Sequence, residues 1–169
     1  MKYEVIDNFL DKEYFDRLVT LFNVGDDGDS SMPWYFQRKV ETENSNIAEN
    51  NLFYMTHLLY DKCRPVSSVY DHVIPILDQL KVKSVIRIKA NLFPNTEILH
   101  EHLMHSDYPF SHSGAILYLN TCDGYTKFED GTKINSVANR MMFFDPGEEH
   151  CSTTTTNVPA RYNININYF

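Results

Sequence analysis

The sequence predicts a mainly β protein with N-terminal helices, best drawn as a double-stranded β-helix (jelly roll) flanked by helices. Three observations carry that prediction: helical apolar spacing in the first half, a switch to period two after Ser84, and turn signals that cut the second half into short strands. At 169 residues and 43% apolar content the chain fits one domain over 1–169, with 1–83 as a helical support region and 84–169 as the jelly-roll core.

Val5-Ile6 predicts a short strand. Asp11 then caps a helix running to about Phe22, with Tyr14, Phe15, Leu18, Val19 and Phe22 on one face and Glu13 near its positive end. Residues 24–32 are small, acidic and glycine-containing, a loop composition. The aromatic run Trp34-Tyr35-Phe36 fits a core or edge strand, or else a wall of a site's mouth. Two more helices are expected over 46–61 and 69–81, the second keeping a helical period through Val69, Val73, Ile74, Leu77 and Leu80, with Pro75 bending it or marking its first turn. Beyond Ser84, Val85, Ile86, Ile88 and Leu92-Phe93 form a strand closed by Pro94-Asn95. Further strand-sized runs occupy 113–120, 125–129, 132–136, 139–145 and 160–169, separated by Cys122-Asp123-Gly124, Glu129-Asp130-Gly131 and Pro146-Gly147.

Charge narrows the function. Lys+Arg 15 against Asp+Glu 23 gives −8, with no basic cluster, which disfavours nucleic-acid binding through phosphates. Cys63, Cys122 and Cys151 are odd in number and scattered, as expected of reduced thiols in a cytoplasm. A charged N-terminus and the lack of a long apolar run predict neither a signal peptide nor a membrane span.

The chemistry concentrates in His100-Glu101-His102-Leu103-Met104-His105-Ser106-Asp107, in His150 and in Arg161. Two imidazoles and a carboxylate can cover one face of a metal and leave positions open, which suits redox-active Fe(II). Strand alternation puts His105 and Asp107 on one face and His100 and His102 on the other, so only one pair can join His150. Two ligand sets compete. One is His105, Asp107 and His150; the other is His100, His102, Asp107 and His150, which resembles the ligand spacing of cupins. His57, His72, His100, His102 and His112 are otherwise expected to be partly exposed. Arg161 opens an alternating run in which Arg161, Asn163, Asn165 and Asn167 share a face, fitting a wet barrel interior or a solvent-facing sheet.

The order His105-Ser106-Asp107, His150, Arg161 resembles the HxD…H…R signature of the Fe(II)- and 2-oxoglutarate-dependent dioxygenases, most closely their prolyl-4-hydroxylase-like branch. Gly124-Tyr125-Thr126-Lys127-Phe128 is similar to that branch's GGETxF segment, with Tyr125 departing from it, and Ala115–Asn120 resembles the strand before it. Taken whole, the chain looks like the compact oxygenases carried by marine bacteriophages and their hosts. The resemblance implies that His105, Asp107 and His150 hold Fe(II) and that Arg161 grips the distal carboxylate of 2-oxoglutarate, helped by Tyr118 and Asn163. With O2, the implied reaction is hydroxylation with release of succinate and CO2, and a carboxylate at 107 implies hydroxylation rather than halogenation. The branch implies a prolyl substrate in a peptide or protein, with a small molecule second and a nucleobase last. A non-enzymatic jelly-roll binding module is the competing class.

Overall fold

A computed structural model describes residues 3–22, 32–38 and 52–169. Among the described residues the paired strands are antiparallel and fall in two sheets. The eight-stranded sheet contains β1 (Tyr3–Ile6), β2 (Tyr35–Gln37), β3 (Tyr54–Asp61), β4 (Arg64–Pro65), β5 (Val85–Pro94), β6 (Ser113–Tyr118), β9 (Arg140–Phe144) and β11 (Ala160–Tyr168). The three-stranded sheet contains β7 (Tyr125–Phe128), β8 (Lys133–Asn135) and β10 (His150–Ser152). The order in the large sheet is β1-β9-β6-β11-β5-β3-β2, with β4 paired to β3, so the last strand in sequence lies in the middle.

Period-two patterning gives the large sheet two different faces. Ile88, Ala90, Ala115, Leu117, Ile164 and Ile166 pack with Phe15, Leu18, Ile76 and Leu77 of helices α1 (Lys12–Leu21) and α2 (Ile74–Leu80). Ile116, Tyr118, Met142 and Phe144 face the other way and meet Phe128 and Ile134 of the small sheet. The polar stripe Arg161, Asn163, Asn165 and Asn167 lies on this second face and is buried, which settles its placement in favour of the interior.

Helix α1 starts where Asp11 predicts, its carboxylate accepting from the Glu13 and Tyr14 amides. In α2, Pro75 sits in the first turn, where its missing N–H costs nothing. The strands after Ser84 follow the turn signals closely.

The N-terminal helices are less extensive than expected. Helix occupies only Lys12–Leu21 and Ile74–Leu80, the latter preceded by a 3-10 turn at Tyr70–Val73. In place of a helix over 46–61 the chain forms β3 at Tyr54–Asp61, while residues 46–51 and the acidic loop through residue 31 lie outside the described residues. A register shift between Leu58 and Tyr60 explains the misreading: it breaks the alternation by which a strand is recognised. Tyr35 and Phe36 form an exposed edge strand, and Trp34 packs on Tyr162 with ring centroids 6.0 Å apart, on the helix side of the sheet. The run thus divides, with Trp34 on the helix side and Tyr35 and Phe36 at the sheet edge. No helix among the described residues is long and apolar enough to cross a membrane.

Asn139 ties the N-terminal segment to this frame. Its Oδ1 accepts from the Leu10 amide at 2.9 Å and its Nδ2 donates to the Leu10 carbonyl at 2.8 Å, from a left-handed backbone at φ 60. Asn139→Ala removes both buried bonds and strands the Leu10 groups; urea unfolding should show a loss of roughly 2–4 kcal/mol.

Candidate metal centre

Backbone pairing builds the site before any side chain is considered. His105 and His150 form an isolated antiparallel bridge, each amide donating to the other's carbonyl at 3.0 and 2.9 Å. Two residues on, the Asp107 amide donates to the carbonyl of Pro146, in the turn that the Pro-Gly pair predicts. The side chains of His105, Asp107 and His150 consequently converge, with one ligand atom from each within 4.8 Å of the others. His100 is exposed and stays outside this group.

Each histidine is held in one tautomer. His105 Nδ1 lies 3.3 Å from the Leu103 carbonyl, and His150 Nδ1 lies 2.9 Å from that of Glu148. A carbonyl only accepts, so Nδ1 carries the proton and Nε2 keeps a lone pair for a metal. Burial lowers the His150 pKa, with the neighbouring His105 adding to the effect, which favours the neutral ligand form. Burial opposes ionisation of Asp107, but the surrounding positive groups, Arg87 foremost and Lys89 with it, outweigh it and hold the carboxyl below its ordinary value. Arg87 Nη2 donates to Asp107 Oδ1 at 3.2 Å, and Asn165 Nδ2 donates to Oδ2 at 3.3 Å.

Arg161 is fully buried and faces the same interior. Its guanidinium lies 5.3 Å from the Phe93 ring and 5.4 Å from that of Tyr118. It donates to Thr126 Oγ1 at 3.2 Å and to the Thr153 carbonyl at 3.4 Å, while Nε has no partner. No carboxylate among the described residues pairs with it, and burial lowers its pKa. Tyr118 donates to Thr126 Oγ1 at 2.8 Å, and Asn163 accepts from Asn91 Nδ2 at 2.8 Å. Gly124 makes room for the arginine: a Cβ there would stand 2.6 Å from Arg161 Cδ and 2.7 Å from the Thr154 carbonyl. A small cavity, partly open to solvent, is lined by His105, Asp107, His150, Thr126, Asn163 and Lys89 among others.

Three expectations about histidines fail. His57, His102 and His112 are buried rather than partly exposed. His57 is held between the Pro33 carbonyl at 2.7 Å and Ser67 Oγ at 2.6 Å, and His112 between the Phe110 carbonyl and Asn167 Oδ1. His102 is held at Nδ1 by Ser152, packs on Phe93 at 5.4 Å and keeps an unpartnered Nε2. Reading the sequence also missed Arg87, Lys89, Asn91 and Thr126. The available signal was polar alternation in β5, where Arg87, Lys89, Asn91 and Phe93 pair in register with Asn167, Asn165, Asn163 and Arg161.

No protein-family model matches the chain, and no curated protein matches its sequence. Solved structures do match. A prolyl-4-hydroxylase from Pseudomonas putida superposes with a TM-score of 0.68 at 13% identity, covering 99% of this chain and 92% of its own. A 2OG-Fe(II) oxygenase family oxidoreductase from Burkholderia pseudomallei gives 0.69 at 10%, covering 99% and 84%. The chain shares the fold of these oxygenases. A prolyl hydroxylase from Trichoplax adhaerens, solved with a peptide fragment of the hypoxia inducible factor oxygen degradation domain, gives 0.60 at 16%, covering 99% and 83%.

Burial pushes the His102 imidazole down to about 4. Below the ordinary histidine value of roughly 6.5 the unfolded chain binds a proton that the folded one refuses, so stability falls as pH drops from there to about 4, by roughly 3 kcal/mol. Urea unfolding at pH 7 and pH 4.5 should show this loss in the metal-free protein, and His102→Phe should shrink it.

Proposed function

We propose that residues 1–169 form a single Fe(II)- and 2-oxoglutarate-dependent oxygenase domain, a jelly roll that hydroxylates an unactivated C–H bond of a prolyl residue in a peptide or protein. The observation that carries this is a cavity lined by a convergent His105–Asp107–His150 group, beside a buried arginine that pairs with no carboxylate among the described residues. Two neutral imidazoles and an ionised carboxylate fit a divalent redox metal and leave coordination positions open. An unanswered guanidinium with a free Nε fits a carboxylate, which it would hold as a fork.

The chain's residues divide the work. His105, Asp107 and His150 would hold the metal, their orientation fixed by the Nδ1 contacts and by Arg87 and Asn165. Arg161 would take the distal carboxylate of 2-oxoglutarate. Thr126 Oγ1 already accepts from Tyr118 and Arg161, so its own hydrogen is free to donate to that carboxylate. Tyr118 acts through Thr126, and Asn163 supplies a polar wall beside them. Bound there, Fe(II) and 2-oxoglutarate supply the activation of O2 and the coupled release of succinate and CO2. Burial of the arginine in a pocket closed by Phe93 and Tyr118 strengthens the pairing by excluding water. Support for a prolyl peptide comes from the fold shared with prolyl hydroxylases, one of them seen with a peptide. Three free cysteines suit a reducing cytoplasm.

Anaerobic addition of Fe(II) and 2-oxoglutarate should produce a visible charge-transfer band. Arg161→Met should raise the 2-oxoglutarate concentration needed by about 100-fold, near 3 kcal/mol for an unmade buried charge pair. Asp107→Ala should abolish substrate-dependent succinate formation. A wild-type protein without the band would refute the reading and leave a binding module.

A further inference from the structure

A second cation in the cavity has no contact ion pair among the described residues: Asp107 acts on it only through space, its two carboxylate oxygens being engaged by Arg87 and Asn165. Lys89 sits on the inward face of β5, between Arg87 and Asn91, and lines the cavity with His105, Asp107 and His150. Arg87 pairs with Asp107, but no carboxylate among the described residues pairs with Lys89. Its ammonium lies 5.6 Å from the Tyr54 ring and makes no hydrogen bond or salt bridge among the described residues, and burial, with Arg87 adding to it against the more distant Asp107, brings its pKa down to about 8. An ammonium held away from water without a partner is costly, so this position suits a ligand better than it suits the resting fold.

A second orphan stands beside it. Asn91 is 5% exposed and lines the same cavity; Nδ2 is used on Asn163, and Oδ1 accepts from nothing. Residues two apart on one strand face stand roughly 7 Å apart, so a small molecule can bridge the lysine and the amide.

We infer that the primary substrate presents a carboxylate to Lys89 and, where it has one, an N–H to Asn91 Oδ1. This rests on the oxygenase reading above and narrows its substrate to a prolyl unit ending in a carboxylate, either the free imino acid or a C-terminal residue. Lys89 is then the residue that separates acids from neutral amides. Arg161 remains assigned to the co-substrate.

Calorimetric titration of the full chain tests this, with and without Mn(II) and 2-oxoglutarate, using L-proline and acetyl-L-proline with the amide of each, and L-leucine with its amide as a non-prolyl pair. Wild type should prefer each acid over its amide by about tenfold or more, and Lys89→Met should cut that preference to about twofold, as expected for loss of one partly buried charge contact. Lys89→Arg should retain it, showing that charge rather than folding is read. L-proline binding ahead of acetyl-L-proline points to the free imino acid, and the reverse order points to a C-terminal residue. Equal binding of acids and amides, or no acid binding at all, overturns the inference. So does a Lys89→Met variant that loses 2-oxoglutarate instead, since Lys89 would then belong to the co-substrate. The oxygenase reading fails separately, through an absent charge-transfer band in wild type, because acid preference is also measured without metal or 2-oxoglutarate.

Discussion

Everything at the centre depends on the reciprocal pairing of His105 with His150. Two amide–carbonyl bonds of 3.0 and 2.9 Å join segments that are otherwise distant in sequence and belong to no common strand pair. Because the bond is made by the main chain, the side chains are left free for other chemistry. The same economy recurs at Asp107, whose amide is used on Pro146 while both carboxylate oxygens face Arg87 and Asn165. Fixed backbones and locked imidazole tautomers mean that little reorganisation remains when a ligand arrives.

The second constraint is the polar face of β11. Burying Arg161 and three asparagines inside a sheet sandwich works against stability unless each group finds a partner. The asparagines find one another and their neighbours: Asn91 with Asn163, Asn165 with Asp107, Asn167 with Asn165 and His112. Arg161 is satisfied only in part, by two aromatic faces, one hydroxyl and one carbonyl. Four buried polar atoms among the described residues keep no partner, Arg87 Nε, Asn91 Oδ1, His102 Nε2 and Arg161 Nε, and Asn91 lines the cavity.

How much of this could be read in the sequence depended on whether a residue's role was local. The strands β5, β6, β7, β9 and β11 were legible because alternation and turn residues are local signals. The Asp11 cap and Pro75 were legible for the same reason. β3 was not, because a register shift blurs its alternation, and His150 was not legible as a strand because Cys151 and Ser152 complete only three residues of pairing. The grouping of His105, Asp107, His150 and Arg161 was visible as a motif. The tertiary neighbours were not: Arg87 and Asn165 matter through Asp107, and Gly124 matters through the space it leaves for Arg161. His57, His102 and His112 were misjudged because a histidine's burial depends on carbonyls and hydroxyls supplied from elsewhere in the fold.

The central place of β11 also bears on how the molecule is made. Without residues 160–168 the large sheet divides into β1-β9-β6 and β5-β3-β2, two ribbons that share no hydrogen-bonded edge. A ribosome delivers the chain from its N-terminus, so the residues of both ribbons are synthesised before the strand that joins them. Each then presents a bare edge facing the gap that β11 will fill, and such edges invite pairing with other chains. Insertion of β11 closes both edges at once and carries Arg161 into the interior in the same step. Chains that lack residues 160–168 should therefore depend on chaperones in a way that chains carrying them do not.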